Sequence, residues 1–166
     1  MWPDRRLLDL FKIDHPILLA PMAGAMDAEL AIAVAKAGGL GALPSGMLNA
    51  EQVRAQVAQF RAATGNKPIN LNFFAHKMPV PNNAREHAWR ERLRPYYVEF
   101  GVDPAAPVTT ASRTPFDAAM CAVVEDLKPE VVSFHYGLPE PELVARMKAD
   151  HEKYGKLIRS IGVKVE

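Results

Sequence analysis

The sequence of 166 residues has one cysteine, no long apolar run and no excess of charge of either sign. Because Cys121 is alone, no disulfide can form within the chain, and the charged start MWPDRR lacks the apolar core of a secretory signal. The most apolar stretch, PILLAPMAGAM, is broken by Pro21 and Gly24 and is shorter than the ~20 apolar residues of a membrane-spanning helix. A reducing cytoplasm is the location that these absences favour.

Charge and motif content exclude several kinds of partner. The 20 Lys and Arg residues and the 19 Asp and Glu residues are interspersed, so we expect no basic surface for nucleic acid or membrane lipid. No GxGxxG or Walker sequence occurs, and no histidine pair has the HExxH spacing of a zinc site. We therefore expect a small-molecule partner and no metal. Cys121 lies in a helical apolar pattern, which predicts a small buried side chain and no nucleophile.

Strand-like and helix-like segments alternate along the chain. Asp27 caps a helix, and Asn49 with Gln52 resembles a capping box that opens another helix, which ends at Gly65. A third helix is predicted with Thr114 as N-cap. The expected strands are residues 17–22, 40–43, 69–74 and 131–136. Because strands that alternate with helices pair in parallel, an open doubly wound sheet and a (β/α)8 barrel are both consistent with the pattern.

Two segments depart from the simple alternation. Residues 78–114 form an excursion between the third and fourth strands, and we expect in it an amphipathic helix that Pro95 kinks or splits. In the third helix, Pro115 and Asp117 are expected at the first and third helical positions. A polar helix is predicted from Glu142 to Lys156 or beyond, and residues 162–165 resemble the opening of a fifth strand.

The stretch INLNFFAH, residues 69–76, carries two asparagines on one face of a predicted strand. Side chains alternate along a strand, so Asn70, Asn72 and Phe74 point away from the apolar face. A buried amide without a partner costs a few kcal/mol, so Asn72 is expected to meet a cavity, a backbone group or a ligand.

The stretch VVSFHYGLP places His135 at the carboxyl end of the fourth predicted strand, on the same face as Ser133. A histidine there can bind an anion or move a proton near neutral pH, and the small Ser133 leaves space. The alternative is a half-buried histidine satisfied by a neighbouring carbonyl. Similarly, the small residues after Ala20-Pro21-Met22 could admit a flat ligand or form an ordinary turn.

Four segments in series, HPILLAPMAG, AVAKAGGLGALPSG, PINLNFFAH and VVSFHYGLP, resemble the nitronate monooxygenases, and the resemblance covers nearly the whole chain. It implies an FMN-binding TIM (β/α)8 barrel that oxidises alkyl nitronates with O2 to carbonyl compounds and nitrite. It also implies that Ala20, Pro21 and Met22 pass along the flavin ring, that Asn72 hydrogen-bonds the flavin, and that His135 lies beside the substrate as the catalytic candidate. The partners are then FMN, an alkyl nitronate and O2.

The sequence also departs from this family. It contains neither the AGGH-type segment nor the later glycine-containing loops that hold the FMN phosphate. Because a barrel has about 250 residues, residues 1–166 are expected to be one incomplete domain, the N-terminal half of a barrel. Two alternatives remain: a related FMN barrel such as an NAD(P)H-dependent enoyl reductase, and a non-catalytic doubly wound module that binds a ligand.

We predict that residues 1–166 alone are colourless, self-associate and release no nitrite from a nitronate. Half a barrel leaves its outermost strands unpaired, and an unpaired strand edge is a template for association. Size-exclusion chromatography, absorption in the visible range and a nitrite assay check this expectation. A yellow, monomeric preparation that releases nitrite would contradict it.

Overall fold

The computed structural model describes residues 2–106 and 113–149, which divide into two compact units. One unit contains the residues up to His76 together with those from Arg113, and the other contains Lys77 to residue 106. Within these described ranges no helix is long and apolar enough to cross a membrane. The arrangement of the chain as one incomplete barrel domain stays a prediction.

The first unit is built on a parallel sheet with three regular strands, in the order β1-β2-β3. Its helices are α1, α2, α3 and α5, and residues 141–149 are also helical. The strands are β1 (Gly41–Pro44), β2 (Ile69–Phe74) and β3 (Val131–His135), and the helices are α1 (Arg6–Phe11), α2 (Ala28–Lys36), α3 (Ala50–Thr64) and α5 (Ala118–Leu127). The predicted α/β alternation with parallel pairing is confirmed.

One face of the sheet is buried under three helices. Leu43, Ile69, Leu71 and Phe73 of the strands share a single apolar cluster with side chains of α2, α3 and α5. Gly41 allows this close packing, since a Cβ there would lie 2.6 Å from the Ala31 carbonyl oxygen of α2. The three helices that connect successive strand segments lie on one face, whereas a doubly wound sheet has connecting helices on both faces.

The opposite face is covered at its amino-terminal end by the chain start. Leu8 of α1 and the following Ile13 are buried in a second apolar cluster with Leu40, and Val131 packs against them. Leu40 and Val131 lie on the same side of the sheet as Asn70, because Asn70 pairs with Val131 and side chains alternate along each strand. Helix α1 therefore closes the lower end of this face and leaves its carboxyl end to the polar side chains.

The predicted first strand, residues 17–22, is reduced in the structure to a single parallel bridge between Leu18 and Leu40. Two hydrogen bonds hold it: Leu19 N donates to the Leu40 carbonyl at 3.0 Å, and Leu40 N donates to the Ile17 carbonyl at 2.9 Å. The prediction of a regular strand is wrong because Pro16 and Pro21, which have no N–H, enclose only four residues that can donate to a ladder. The parallel direction of this segment is as expected.

Helix α5 begins later than its sequence indicates. Asp117, expected at the third helical position, is the N-cap, and its side chain accepts a hydrogen bond from Met120 N at 2.8 Å. Phe116 N donates to the Phe74 carbonyl at 2.7 Å, which ties the residue before the N-cap to β2 and keeps it out of the helix. The prediction of Thr114 as N-cap is therefore wrong. The caps at Asp27 and Asn49, including the capping box with Gln52, are confirmed.

The second unit contains one helix, α4 (Asn83–Glu99), which continues through Pro95 without interruption. Of the two predicted effects of Pro95, a split of the helix is wrong, and a kink stays a prediction. No side chain of α4 is fully buried. The prediction for residues 162–165 and for the end of the last helix lies outside the described residues.

We predict that Asp117→Ala lowers the free energy of unfolding by about 1 kcal/mol, because the Met120 N–H loses its side-chain acceptor. Thr114→Ala is the matched control and should change it by less than about 0.5 kcal/mol, since Thr114 is exposed. Urea unfolding of the two variants measures both values. A larger effect at Thr114 would show that α5 begins where the sequence pattern alone suggests.

Candidate functional site

A hydrogen-bonded chain of three polar side chains lies across β2 and β3. Asn72 Nδ2 donates to Ser133 Oγ at 2.9 Å, and Asn72 Oδ1 lies 3.0 Å from His135 Nδ1. The register of the two strands explains the contact, because Asn72 pairs with Ser133 and His135 follows two residues later on the same face. We call Ser133, Asn72 and His135 the polar triad. Both polar atoms of the Asn72 amide therefore have protein partners.

Burial changes along the polar triad. Asn72 is 4% exposed, Ser133 is half-buried and His135 is exposed at the end of β3. The backbone of His135 is held in place because its carbonyl accepts a hydrogen bond from Ala75 N at 2.9 Å. A buried amide thus positions an imidazole that can reach a ligand.

Aromatic rings surround the exposed end of the polar triad. The Phe74 ring lies 6.4 Å from the His135 ring and 5.6 Å from the Tyr136 ring, and His76 meets Tyr136 edge-on at 6.2 Å. Regular alternation of side chains along residues 131–136 predicts Tyr136 on the face opposite His135. That prediction is wrong because Tyr136 has a φ of 69°, which ends β3 and turns the side chain back toward Phe74.

Asn70 lies one layer below Asn72 on the same face. It is 9% exposed, and its Oδ1 atom is buried without a hydrogen-bond partner among the described residues. Its strand neighbours Ala42 and Val131 offer only apolar side chains. A buried amide oxygen without a hydrogen bond is unfavourable, so this position favours a hydrogen-bond donor from water or from a further polar group.

The segment of Ala20, Pro21 and Met22 follows the Leu18 bridge at the same end of the sheet. Leu18 pairs with Leu40, just before β1, and β1 ends at Pro44, which pairs with Asn72. Ala20 and Met22 are exposed. The structure therefore joins Asn72 and His135 by a hydrogen-bond contact, and the bonds of the described residues include none from Ala20, Pro21 or Met22 to either of them.

A cleft of about 590 Å³ opens beside this edge. It lies among the loop after Met22, the start of α2, the residues after β1 and Gln56 of α3. Its lining residues are Gly24, Ala25, Met26, Asp27, Glu29, Leu30, Pro44, Met47, Leu48 and Gln56. The Oε1 atom of Gln56 is buried and has no hydrogen-bond partner among the described residues.

Two features of the site were not foreseen from the sequence. Ser133 was expected only to leave space, yet it is a hydrogen-bond partner of Asn72, which the β2–β3 register would have indicated. His76 has no motif that marks it in the sequence, but its ring joins the aromatic group around His135. Among the described residues, no group of three or more His, Cys, Asp or Glu side chains could hold a metal ion. Cys121 is buried in the apolar cluster, as predicted.

A family model and two relatives that match by sequence indicate one family. Residues 4–161 match the family model described as nitronate monooxygenase. A nitronate monooxygenase from Paraburkholderia phytofirmans is 42% identical over 146 residues, which are 87% of this chain and 39% of that protein. One from Pseudomonas aeruginosa is 35% identical over 145 residues, which are 87% of this chain and 41% of that protein.

A solved structure shows the same likeness in three dimensions. The nitroalkane oxidase from Streptomyces ansochromogenes matches with a TM-score of 0.64 and 34% identity, over 87% of this chain and 40% of that chain. The chain thus spans about two fifths of the length of the relatives that it matches.

We predict an energetic coupling between Asn72 and His135 of about 0.5–1.5 kcal/mol, the size of one hydrogen bond, in a double-mutant cycle. The cycle compares unfolding of Asn72→Ala, His135→Ala and the double variant. A control cycle pairs Asn72→Ala with His15→Ala, because no hydrogen bond or ring contact joins His15 to Asn72, and its coupling should be below about 0.5 kcal/mol. Equal coupling in the two cycles would contradict a direct Asn72–His135 bond.

Proposed function

Because the chain belongs to the nitronate monooxygenase family, we propose that it is the N-terminal part of an FMN-binding TIM barrel that oxidises alkyl nitronates with O2. The products are a carbonyl compound and nitrite. The placement of α2, α3 and α5 on one face of a parallel sheet in chain order supports a barrel, since a barrel has its helices outside and its strands in sequence. The site then lies at the carboxyl ends of the strands.

The residues at this edge fit a flavin ring. Asn72 uses one Nδ2 hydrogen for Ser133, which leaves the second hydrogen for a ring carbonyl or nitrogen. Ala20 and Met22 are exposed at the same edge and can cover the flat ring with backbone and apolar atoms. We therefore propose Ala20, Pro21, Met22 and Asn72 as the flavin-binding residues of this chain.

His135 is the proposed residue for substrate binding and catalysis. A nitronate is an anion, and the imidazolium form of His135 at the end of β3 can donate a hydrogen bond to it. The rings of Phe74 and Tyr136 next to His135 supply apolar surface for the alkyl group. A flavin held by Ala20, Pro21, Met22 and Asn72 would supply the one-electron oxidation of the nitronate, with O2 as the final oxidant.

One observation carries this proposal: the 3.0 Å contact between Asn72 and His135. It makes the proposed flavin ligand and the proposed substrate ligand immediate neighbours, as a reaction between flavin and substrate requires. We also propose a cytoplasmic location, in keeping with the single cysteine, and nitronate and O2 as the small-molecule partners.

A chimera tests the function directly. In it, residues of this chain replace the aligned segment of the Paraburkholderia phytofirmans relative, which supplies the remainder of the protein. We predict a yellow protein that releases nitrite from an alkyl nitronate. In the chimera, His135→Ala should lower nitrite release more than FMN retention, and Asn72→Leu should weaken FMN retention by about 1–3 kcal/mol through the lost polar contact.

The alternatives give different outcomes in the same chimera. NADH oxidation without nitrite release would favour a reductase. A folded but colourless chimera would favour a module without catalysis. If His135→Ala reduces FMN retention and turnover equally, His135 has a structural role and the substrate assignment is wrong.

A further inference from the structure

The hydrogen bonds of the polar triad have a direction, and this direction determines which ring nitrogen of His135 carries the proton. Asn72 Nδ2 is the donor to Ser133 Oγ, so Asn72 Oδ1 is the atom that faces His135 Nδ1. A carbonyl oxygen only accepts hydrogen bonds, so His135 Nδ1 must carry the proton of that contact. The neutral ring is then the Nδ1–H tautomer, with Nε2 unprotonated.

From this chain of contacts we propose that Ser133 and Asn72 are positioning residues that hold His135 in the Nδ1–H tautomer and direct its Nε2 atom to the substrate. This inference rests on the proposed function for the identity of that substrate, an anionic nitronate. The tautomer itself is a property of this chain alone.

The neighbours of Asn72 explain why Ser133 is the partner of its amide nitrogen. In the sheet Asn72 lies between Pro44 of β1 and Ser133 of β3. Pro44 has neither an N–H nor a polar side chain, so the only hydrogen-bonding side chain at this level of the sheet is that of Ser133. Asn72 is 4% exposed, so its amide has little access to solvent.

The tautomer matters for binding an anion. When Nε2 of the Nδ1–H tautomer gains a proton, the ring becomes an imidazolium that donates from Nε2 to the nitronate oxygen. Asn72 Oδ1 accepts the Nδ1–H bond both before and after this step, so no side chain has to reorient. In the reverse amide orientation, Asn72 Nδ2 would donate to Nδ1, and that bond would be lost when the ring became an imidazolium.

Nitrogen-15 NMR of the histidine-labelled, 166-residue chain tests the proposal without flavin or substrate, because the shifts of Nδ1 and Nε2 distinguish the two tautomers. We expect His135 as the Nδ1–H form in the unsubstituted chain. Asn72→Asp keeps an acceptor and should retain this form, and Ser133→Thr keeps the hydroxyl and should also retain it. Ser133→Ala and Asn72→Leu should each lower the ratio of Nδ1–H to Nε2–H by about five- to tenfold, the effect of one lost hydrogen bond.

The signals of His15 and His87 are internal controls and should stay unchanged in every variant. An Nε2–H form of His135 in the unsubstituted chain would overturn the proposal even if a variant failed to fold. An unchanged ratio in folded Asn72→Leu would also overturn it. If a chimera releases no nitrite but its His135 is in the Nδ1–H form, only the proposed function is contradicted. If a chimera is active but its His135 is in the Nε2–H form, only the proposal about the tautomer is contradicted.

Discussion

The register between β2 and β3 is the constraint on which the rest of the site depends. It pairs Asn72 with Ser133 and Phe74 with His135, so one polar layer and one aromatic layer form across the two strands. A shift by one residue would move Asn72 to the side of the helices and bury its amide among apolar residues. In the shifted register the unsatisfied amide would cost ~1–3 kcal/mol, so the observed register is favoured over its alternatives.

The two faces of the sheet have different tasks, and the difference follows from alternation along each strand. The face with Leu71 and Phe73 is covered by helices and supplies most of the apolar burial. The other face contains Asn70 and Asn72, whose burial is favourable only where partners are present. The buried Asn70 Oδ1 marks where this face still lacks a donor among the described residues. The helix-covered apolar face thus stabilises the sheet, and the opposite face has polar side chains that can bind a ligand.

Sequence alternation and capping signals were sufficient for much of the fold. The strand at residues 69–74, the cap at Asp27, the capping box at Asn49 and the position of His135 at a strand end follow from local patterns, and the structure has them. The length of the first strand was overestimated. The apolar pattern of residues 17–22 does not show that Pro16 and Pro21 have no N–H group to donate to a strand ladder. The start of α5 was placed too early because the hydrogen bond from Phe116 to the Phe74 carbonyl is a tertiary contact.

For the site, the sequence indicated the residues but not how they are connected. Alternation put Asn72 on the side of its strand away from the apolar face, and it put Ser133 and His135 on a common face of theirs. The hydrogen bonds between them depend on how two strands align across 61 residues. The side of Tyr136 could not be predicted from alternation, since a positive φ ends the strand there. Contacts between distant segments and local departures from regular backbone therefore account for what was missed.

The crystal structure of the flavin-loaded chimera tests the central claim most directly, that the polar triad is the point where flavin and substrate meet. Our account predicts a flavin ring atom within about 3.2 Å of Asn72 Nδ2, with Ala20 to Met22 along the ring and His135 beside it. A flavin bound away from Asn72, with the triad facing only solvent, would contradict the account.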